Sequence, residues 1–246
     1  MSAITRSLYD AILCDLDGVI TDTASLHAAA WKQMFDDYLK ARAAQTHQAF
    51  QPFDLDTDYL YYVDGKPRFD GVRDFLLSRG IHLPEGAHDD SPTMQTVGGL
   101  GNRKNNLIEK LIDAHGVRAY AGSVRLIHQL RQDGFKLALV TSSQNSQIVL
   151  QAAKLEGLFD VCVDGNMIHT FSLRGKPAPD TYLKAAELLG VEPARAVVIE
   201  DAISGVQAGS DGEFGLVIGV ARKDNADELR ANGAHLVVND LGELVV

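Results

Sequence analysis

Apolar residues in this chain collect in short, nearly unbroken runs. Four of them stop abruptly: Ala11–Cys14 at Asp15, 137–140 at Thr141, Val161–Val163 at Asp164, and 196–199 at Glu200-Asp201. Leu216–Val220 and Leu236–Val238 add two more candidates. Short, continuously apolar runs rich in β-branched residues are the signature of strands buried on both faces. Between them the spacing becomes helical. Ser123 can cap a helix carrying Val124, Ile127 and Leu130 on one side and closing at Gly134, and Pro179-Asp180 opens another through Leu183, Ala186 and Leu189 to Gly190. Strand and helix in alternation predict an α/β fold with a doubly wound, Rossmann-like parallel sheet. Ligands bind such sheets beyond the carboxyl ends of the strands, which is where Asp15, Thr141, Glu200 and Asp201 fall.

The stretch from about Leu26 to Gly116 breaks this alternation. Helices over 27–44 and 105–114, an aromatic patch at Tyr59-Leu60-Tyr61-Tyr62, and loops rich in Gly and Pro predict a mostly helical insert after the first strand. The expected domains are therefore a discontinuous core of 1–25 and 117–246 and an inserted domain of 26–116. Chain exits near 24–28 and 113–117 follow from where the insert must leave the core.

Composition narrows the chemistry. With 246 residues the chain suits one large domain or a core with an insert, and 33 Asp and Glu against 23 Lys and Arg give a net charge of −10. That balance disfavours nucleic acid and anionic membranes as partners, while leaving room for a small anionic substrate where basic groups converge. Two cysteines, Cys14 and Cys162, exclude a disulfide framework and point to a reducing cytoplasm. The stretch Met1 to Asp10 has no apolar core of a leader, and no apolar run approaches the ~18 residues of a membrane span. A soluble, cytoplasmic monomer is expected.

Four segments carry candidate chemistry. In Asp15-Leu16-Asp17-Gly18-Val19-Ile20-Thr21-Asp22 one carboxylate can attack phosphorus while a second, two residues on, relays a proton. Thr141-Ser142-Ser143, followed by Gln144-Asn145, offers hydroxyls and backbone N–H groups to a phosphoryl oxygen. Lys176, in Gly175-Lys176-Pro177-Ala178-Pro179-Asp180, is a cation in a stiffened loop among acids. Glu200-Asp201 at a strand end makes a hard oxygen site suited to Mg²⁺. Each segment alone is also what an Asx turn, a helix cap, a solvated lysine or an exposed acid pair looks like. The argument rests on all four falling in order at strand ends.

As a set, D-x-D-G-V-x-T-D, the Thr/Ser strand end, G-K-P-x-P-D and E-D-x-x-x-G-x-x-A-G resemble the four motifs of the haloacid dehalogenase-like (HAD) superfamily. The resemblance implies Asp15 as nucleophile, Asp17 as general acid/base, Thr141 and Lys176 as phosphoryl ligands, and Asp15, the Asp17 carbonyl, Glu200 and Asp201 around Mg²⁺. It also implies that the insert is a helical cap. Within the superfamily, Asp15 through Ala24 with His27 and Trp31 is similar to the β-phosphoglucomutase family. That likeness implies interconversion of β-glucose 1-phosphate and glucose 6-phosphate through an aspartyl phosphate and β-glucose 1,6-bisphosphate, with His27 relaying cap closure to the acid/base. It places a small phosphorylated sugar at Ser143, Asn145 and Trp31, with Arg73 and Lys104 on the distal phosphate and Asn105 nearby. Gln144, where a lysine is common in that family, and the long first half of the insert are departures that bear on substrate. The alternatives are a sugar-phosphate phosphatase of the same fold and a non-catalytic phospho-ligand sensor. The insert also resembles those of family members that work beside disaccharide phosphorylases, which implies maltose or trehalose breakdown.

Overall fold

All six apolar runs form strands: β1 (Ala11–Cys14), β2 (Lys136–Val140), β3 (Val161–Val163), β4 (Ala196–Glu200), β5 (Leu216–Val220) and β6 (Leu236–Val238). In the computed structural model, which describes residues 3–222 and 224–246, they pair in parallel as one sheet ordered β3-β2-β1-β4-β5-β6. The first two residues of the N-terminal stretch lie outside that range. β1 and β4 are buried along their whole length, because helices cover both faces of such a sheet and leave no polar side to write into the sequence. The chain runs outward from β1 through β2 to β3, then returns to the other side of β1 as β4. The order reverses at β1, and a crevice at such a reversal is where ligands enter. Cys14 is level with Leu139 and Ile199 in the ladders, so Asp15, Thr141, Glu200 and Asp201 arrive at one edge.

The helices are α1 (Ala24–Thr46), α2 (Arg68–Ser78), α3 (Val97–His115), α4 (Ala121–Gln132), α5 (Ser146–Ala152), α6 (Gly165–Thr170), α7 (Asp180–Leu189), α8 (Ile203–Asp211) and α9 (Ala226–Ala231). α7 begins after Pro179 and ends at Gly190, whose left-handed backbone (φ 63°) suits glycine. α4 corrects one expectation: it starts at Ala121, so Ser123 is not its cap. The Ser123 hydroxyl is buried and donates to the Val19 carbonyl at 2.7 Å, tying α4 to the turn after β1.

The chain divides into two compact units, residues 1–23 with 117–246, and residues 24–116. The first packs Leu13, Val140, Val198, Val206, Val217 and Tyr182 between sheet and helices. The second has its own core of Trp31, Phe35, Phe53, Phe75 and Leu100, with Phe35 and Phe75 rings 4.2 Å apart at their centroids. The aromatic patch is a π-helical turn, Tyr59–Val63. Gly98, Gly99 and Gly101, which precede the helix expected over 105–114 and fall in its Gly- and Pro-rich surroundings, lie inside the first turns of α3. Thr96 caps that helix by accepting from Gly99 N at 2.9 Å. A Cβ on Gly99 would sit 2.4 Å from the Met94 carbonyl, and one on Gly101 2.5 Å from the Phe69 ring. The glycines therefore serve close approach, which outweighs their poor helix propensity.

Candidate active site

β1 stops at Cys14, and the next side chain, Asp15, is buried at the sheet edge. Lys176 reaches it from the loop before α7. Its ammonium donates to Asp15 Oδ1 at 2.6 Å, Glu200 Oε1 at 2.5 Å and the Val140 carbonyl at 3.0 Å, with no side-chain surface exposed. The loop is pinned by Arg174, whose Nε, Nη2 and backbone N–H all donate to Asp180 in the first turn of α7. Burial by itself would lower the lysine, but Asp15 and Glu200 on either side raise it above its ordinary value and hold the ammonium charged. Burial raises the Asp15 carboxyl well above the usual carboxylate range; Lys176 opposes this and Glu200 and Asp17 add to it.

Glu200 closes the back of the site. Oε1 accepts from Lys176 and from the fully buried Tyr182 hydroxyl at 2.8 Å, while Oε2 accepts from the backbone N–H groups of Asp201 at 3.0 Å and Ala202 at 3.2 Å. Tyr182 is raised by burial and then by the Glu200 charge, so it stays a donor. Its role was not legible in the sequence, where it reads as one more apolar position of α7.

Asp17 faces the other way. Its carboxyl accepts from the hydroxyl of Thr23 on Oδ1 and from that of Thr141 on Oδ2 at 3.3 Å. Thr23, one position past the Asp15–Asp22 segment, is an Asp17 partner that the motif alone does not point to. Gly18 turns the chain with φ +91°, and a Cβ there would fall 2.0 Å from Asp201 Oδ2, so glycine is required on both counts. Beside the turn, the Ser143 backbone N–H donates to Thr141 Oγ1 at 3.1 Å, and Asn145 N–H to Ser143 Oγ at 3.2 Å. Asn145 is buried.

Asp15, Glu200 and Asp201 bring carboxylate oxygens within 4.8 Å of one another. Three buried hard-oxygen donors stand against one ammonium. Such a donor set fits a hard divalent cation.

In the inserted unit the expected substrate residues have partners of their own. Arg73 forks onto Glu85 (Nε to Oε1 3.0 Å, Nη2 to Oε2 2.8 Å) and also donates to Asp70 at 2.6 Å. Asn105 Nδ2 donates to Glu109 at 2.7 Å. Lys104 is buried, lies 2.8 Å from His27 Nδ1 and sits over the Trp31 ring at 4.8 Å. Lys104, expected on the distal phosphate, here meets His27 and the Trp31 ring. Arg68 is a further basic residue of the same stretch as Arg73. Its guanidinium stacks on Phe69 at 4.4 Å and donates to Asn102 Oδ1 at 3.0 Å, while its buried Nε has no hydrogen-bond partner. Burial pushes this arginine down to about 10, the Glu109 charge only partly offsetting it.

The haloacid dehalogenase-like hydrolase family model matches residues 9–212. A β-phosphoglucomutase of Mycobacterium bovis is 50% identical over 238 residues, 96% of this chain and 91% of that protein. The chain belongs to the haloacid dehalogenase-like hydrolases, on their β-phosphoglucomutase branch. A crystal structure of β-phosphoglucomutase from Clostridium difficile superimposes on this haloacid dehalogenase-like chain with a TM-score of 0.72 at 26% identity, covering 96% of this chain and 93% of that one. A protein of Mycobacterium tuberculosis named as an uncharacterized glycosyl hydrolase is 37% identical over 243 residues, which are 99% of this chain and 18% of that protein. No helix among the described residues is long and apolar enough to cross a membrane.

Proposed function

We propose that this haloacid dehalogenase-like enzyme is a β-phosphoglucomutase, a phosphotransferring isomerase acting on a small phosphorylated sugar. The observation that carries it is the 50% identity across almost the full length of both proteins, together with a buried carboxylate nucleophile held against an ammonium. In the proposed cycle phospho-Asp15 passes its phosphoryl group to O6 of β-glucose 1-phosphate while Asp17 takes the hydroxyl proton. The bisphosphate turns round. Asp15 then attacks the 1-phosphate, Asp17 returns the proton to the leaving O1, and glucose 6-phosphate is released.

Each residue's part follows from its surroundings. Lys176 neutralises the charge that builds on the transferring oxygens, and Glu200 and Tyr182 keep it aimed there. Thr23 and Thr141 orient the Asp17 carboxyl. Thr141, Ser143 and Asn145 supply the donors nearest the phosphoryl group. Mg²⁺ is the proposed cofactor, held by Asp15, Asp201 and the Asp17 carbonyl; Glu200 supports the site, since each of its oxygens already accepts two hydrogen bonds. When bound, the ion supplies charge neutralisation between nucleophile and phosphoryl oxygens. In the inserted unit Arg68 is the proposed ligand of the distal phosphate, because a buried guanidinium with an unmade hydrogen bond is suited to an anion. Lys104 is the proposed partner that sets the His27 tautomer.

The proposal includes a monomeric, cytoplasmic enzyme, to be tested by light scattering and cell fractionation. The match to one segment of a longer protein named as a glycosyl hydrolase supports a place beside disaccharide cleavage, of which maltose or trehalose breakdown are the proposed cases. The decisive experiment incubates the protein with Mg²⁺, β-glucose 1-phosphate and a trace of sugar bisphosphate. Glucose 6-phosphate and inorganic phosphate are followed in parallel, with the α-anomer as control. Glucose 6-phosphate from the β-anomer alone is expected; stoichiometric phosphate release would make the enzyme a phosphatase instead.

A further inference from the structure

Arg222 lies two residues past the end of β5, and its side chain is 14% exposed. Its guanidinium is used on every side. Nε donates to the Gly18 carbonyl at 3.1 Å, Nη1 to the Asn239 carbonyl at 3.1 Å and Asp240 Oδ2 at 2.7 Å, and Nη2 to Ser123 Oγ at 3.4 Å. Its flat face lies 3.8 Å from the centre of the Tyr120 ring. These contacts run on into the turn that follows β1. Ser123 Oγ donates to the Val19 carbonyl, Tyr120 N–H to the Ile20 carbonyl at 2.9 Å, and the Tyr120 hydroxyl to Asp22 Oδ1 at 2.9 Å.

Gly18 is the weak point of that turn. At φ +91° without a Cβ, the peptide after it can swing at little cost. Asp17 precedes it directly, and Asp201 lies against it. We propose that Arg222 is a positioning residue for phosphoryl transfer, locking the Gly18 peptide and with it the turn that carries Asp17. Four acceptors and one ring face in fixed directions require a planar fork, which a lysine cannot reproduce.

The test uses the full chain with acetyl phosphate and Mg²⁺, following phosphate release, which needs the turn and Asp15 and is independent of the sugar. The mutase arm, with β-glucose 1-phosphate, rests on the function proposed above. For Arg222→Lys the expected result is a kcat lower by about 10- to 100-fold in the acetyl phosphate assay, with KM within about twofold and an unchanged circular dichroism spectrum. For Arg222→Ala, millimolar guanidinium chloride is expected to restore activity several-fold, whereas it does nothing for wild type. A merely structural role would lower the melting temperature and leave kcat at the temperature of assay intact. Wild-type kcat in Arg222→Lys, or no guanidinium rescue of a folded Arg222→Ala, would overturn the proposal. Absence of mutase turnover in the wild type would refute the function and leave the acetyl phosphate comparison standing.

Discussion

Replacing Arg68 by methionine removes a charge that the inserted unit buries with no carboxylate in ion-pair contact among the described residues. Burial holds the guanidinium down at about 10, which corresponds to about 3 kcal/mol against the charged form. Methionine keeps the apolar stem but loses the Asn102 hydrogen bond, worth about 1 kcal/mol, and the stack on Phe69, worth about 0.5 to 1 kcal/mol. The remainder favours the variant by about 1 to 1.5 kcal/mol, or roughly 2 to 6 °C in melting temperature for a chain of this size. Activity should move the opposite way. Losing a charge-assisted bond to phosphate costs about 1.5 to 3 kcal/mol, so kcat/KM for β-glucose 1-phosphate should fall by roughly 10- to 100-fold. Differential scanning fluorimetry without ligand and a coupled glucose 6-phosphate assay read the two effects. A variant that melts below wild type and turns over within twofold of it would refute both the burial argument and the phosphate assignment.

Asp15→Ala should abolish turnover while leaving the far-ultraviolet circular dichroism spectrum unchanged; activity above background in a clean preparation would remove Asp15 as nucleophile. EDTA should inactivate the enzyme and lower its melting temperature, with Mg²⁺ restoring both, because a cation offsets the repulsion among Asp15, Glu200 and Asp201; metal-independent turnover would contradict this. The Glu85 carboxyl is held below its usual range, chiefly by its hydrogen bond from Arg73. A depressed acid contributes stability above its unfolded value, near pH 4, and loses it as pH falls through the folded value. Glu85→Gln should therefore lower urea stability by at most about 1 kcal/mol at pH 7, given its exposure, and by progressively less as the pH falls below about 4; equal losses at neutral and acid pH would break the link to ionisation.

The sheet was readable because strands covered on both faces must be apolar throughout, which leaves plain runs such as Ala196-Val197-Val198-Ile199. The residues converging at its edge were readable because the strand ends place them there whatever the loops do. What the sequence concealed were partners set by tertiary contact. Arg73 looks like a free cation until Glu85, twelve positions on, takes up its fork. Lys104 meets a histidine seventy-seven positions away. Arg68 gave no signal beside Arg73, since burial separates the two and local composition does not. The start of α3 was hidden for a different reason: glycine argues locally for loop, and only the atoms packed against Gly99 and Gly101 explain why a helix is there.

The two points where the chain leaves and rejoins the sheet-bearing unit are held side by side. Asp22 N–H donates to the Arg118 carbonyl at 2.8 Å, Thr21 bridges Ala119, and the Arg118 guanidinium pairs with the Asp22 carboxylate. The inserted segment is thus a hairpin-like excursion from one spot on the scaffold, and its removal unthreads no strand. A short turn joining Asp22 to Arg118 would close the scaffold without the insert. For the same reason, inserts of other lengths can be grafted at that spot while Asp15, Lys176 and Glu200 keep their places in the sheet-bearing unit.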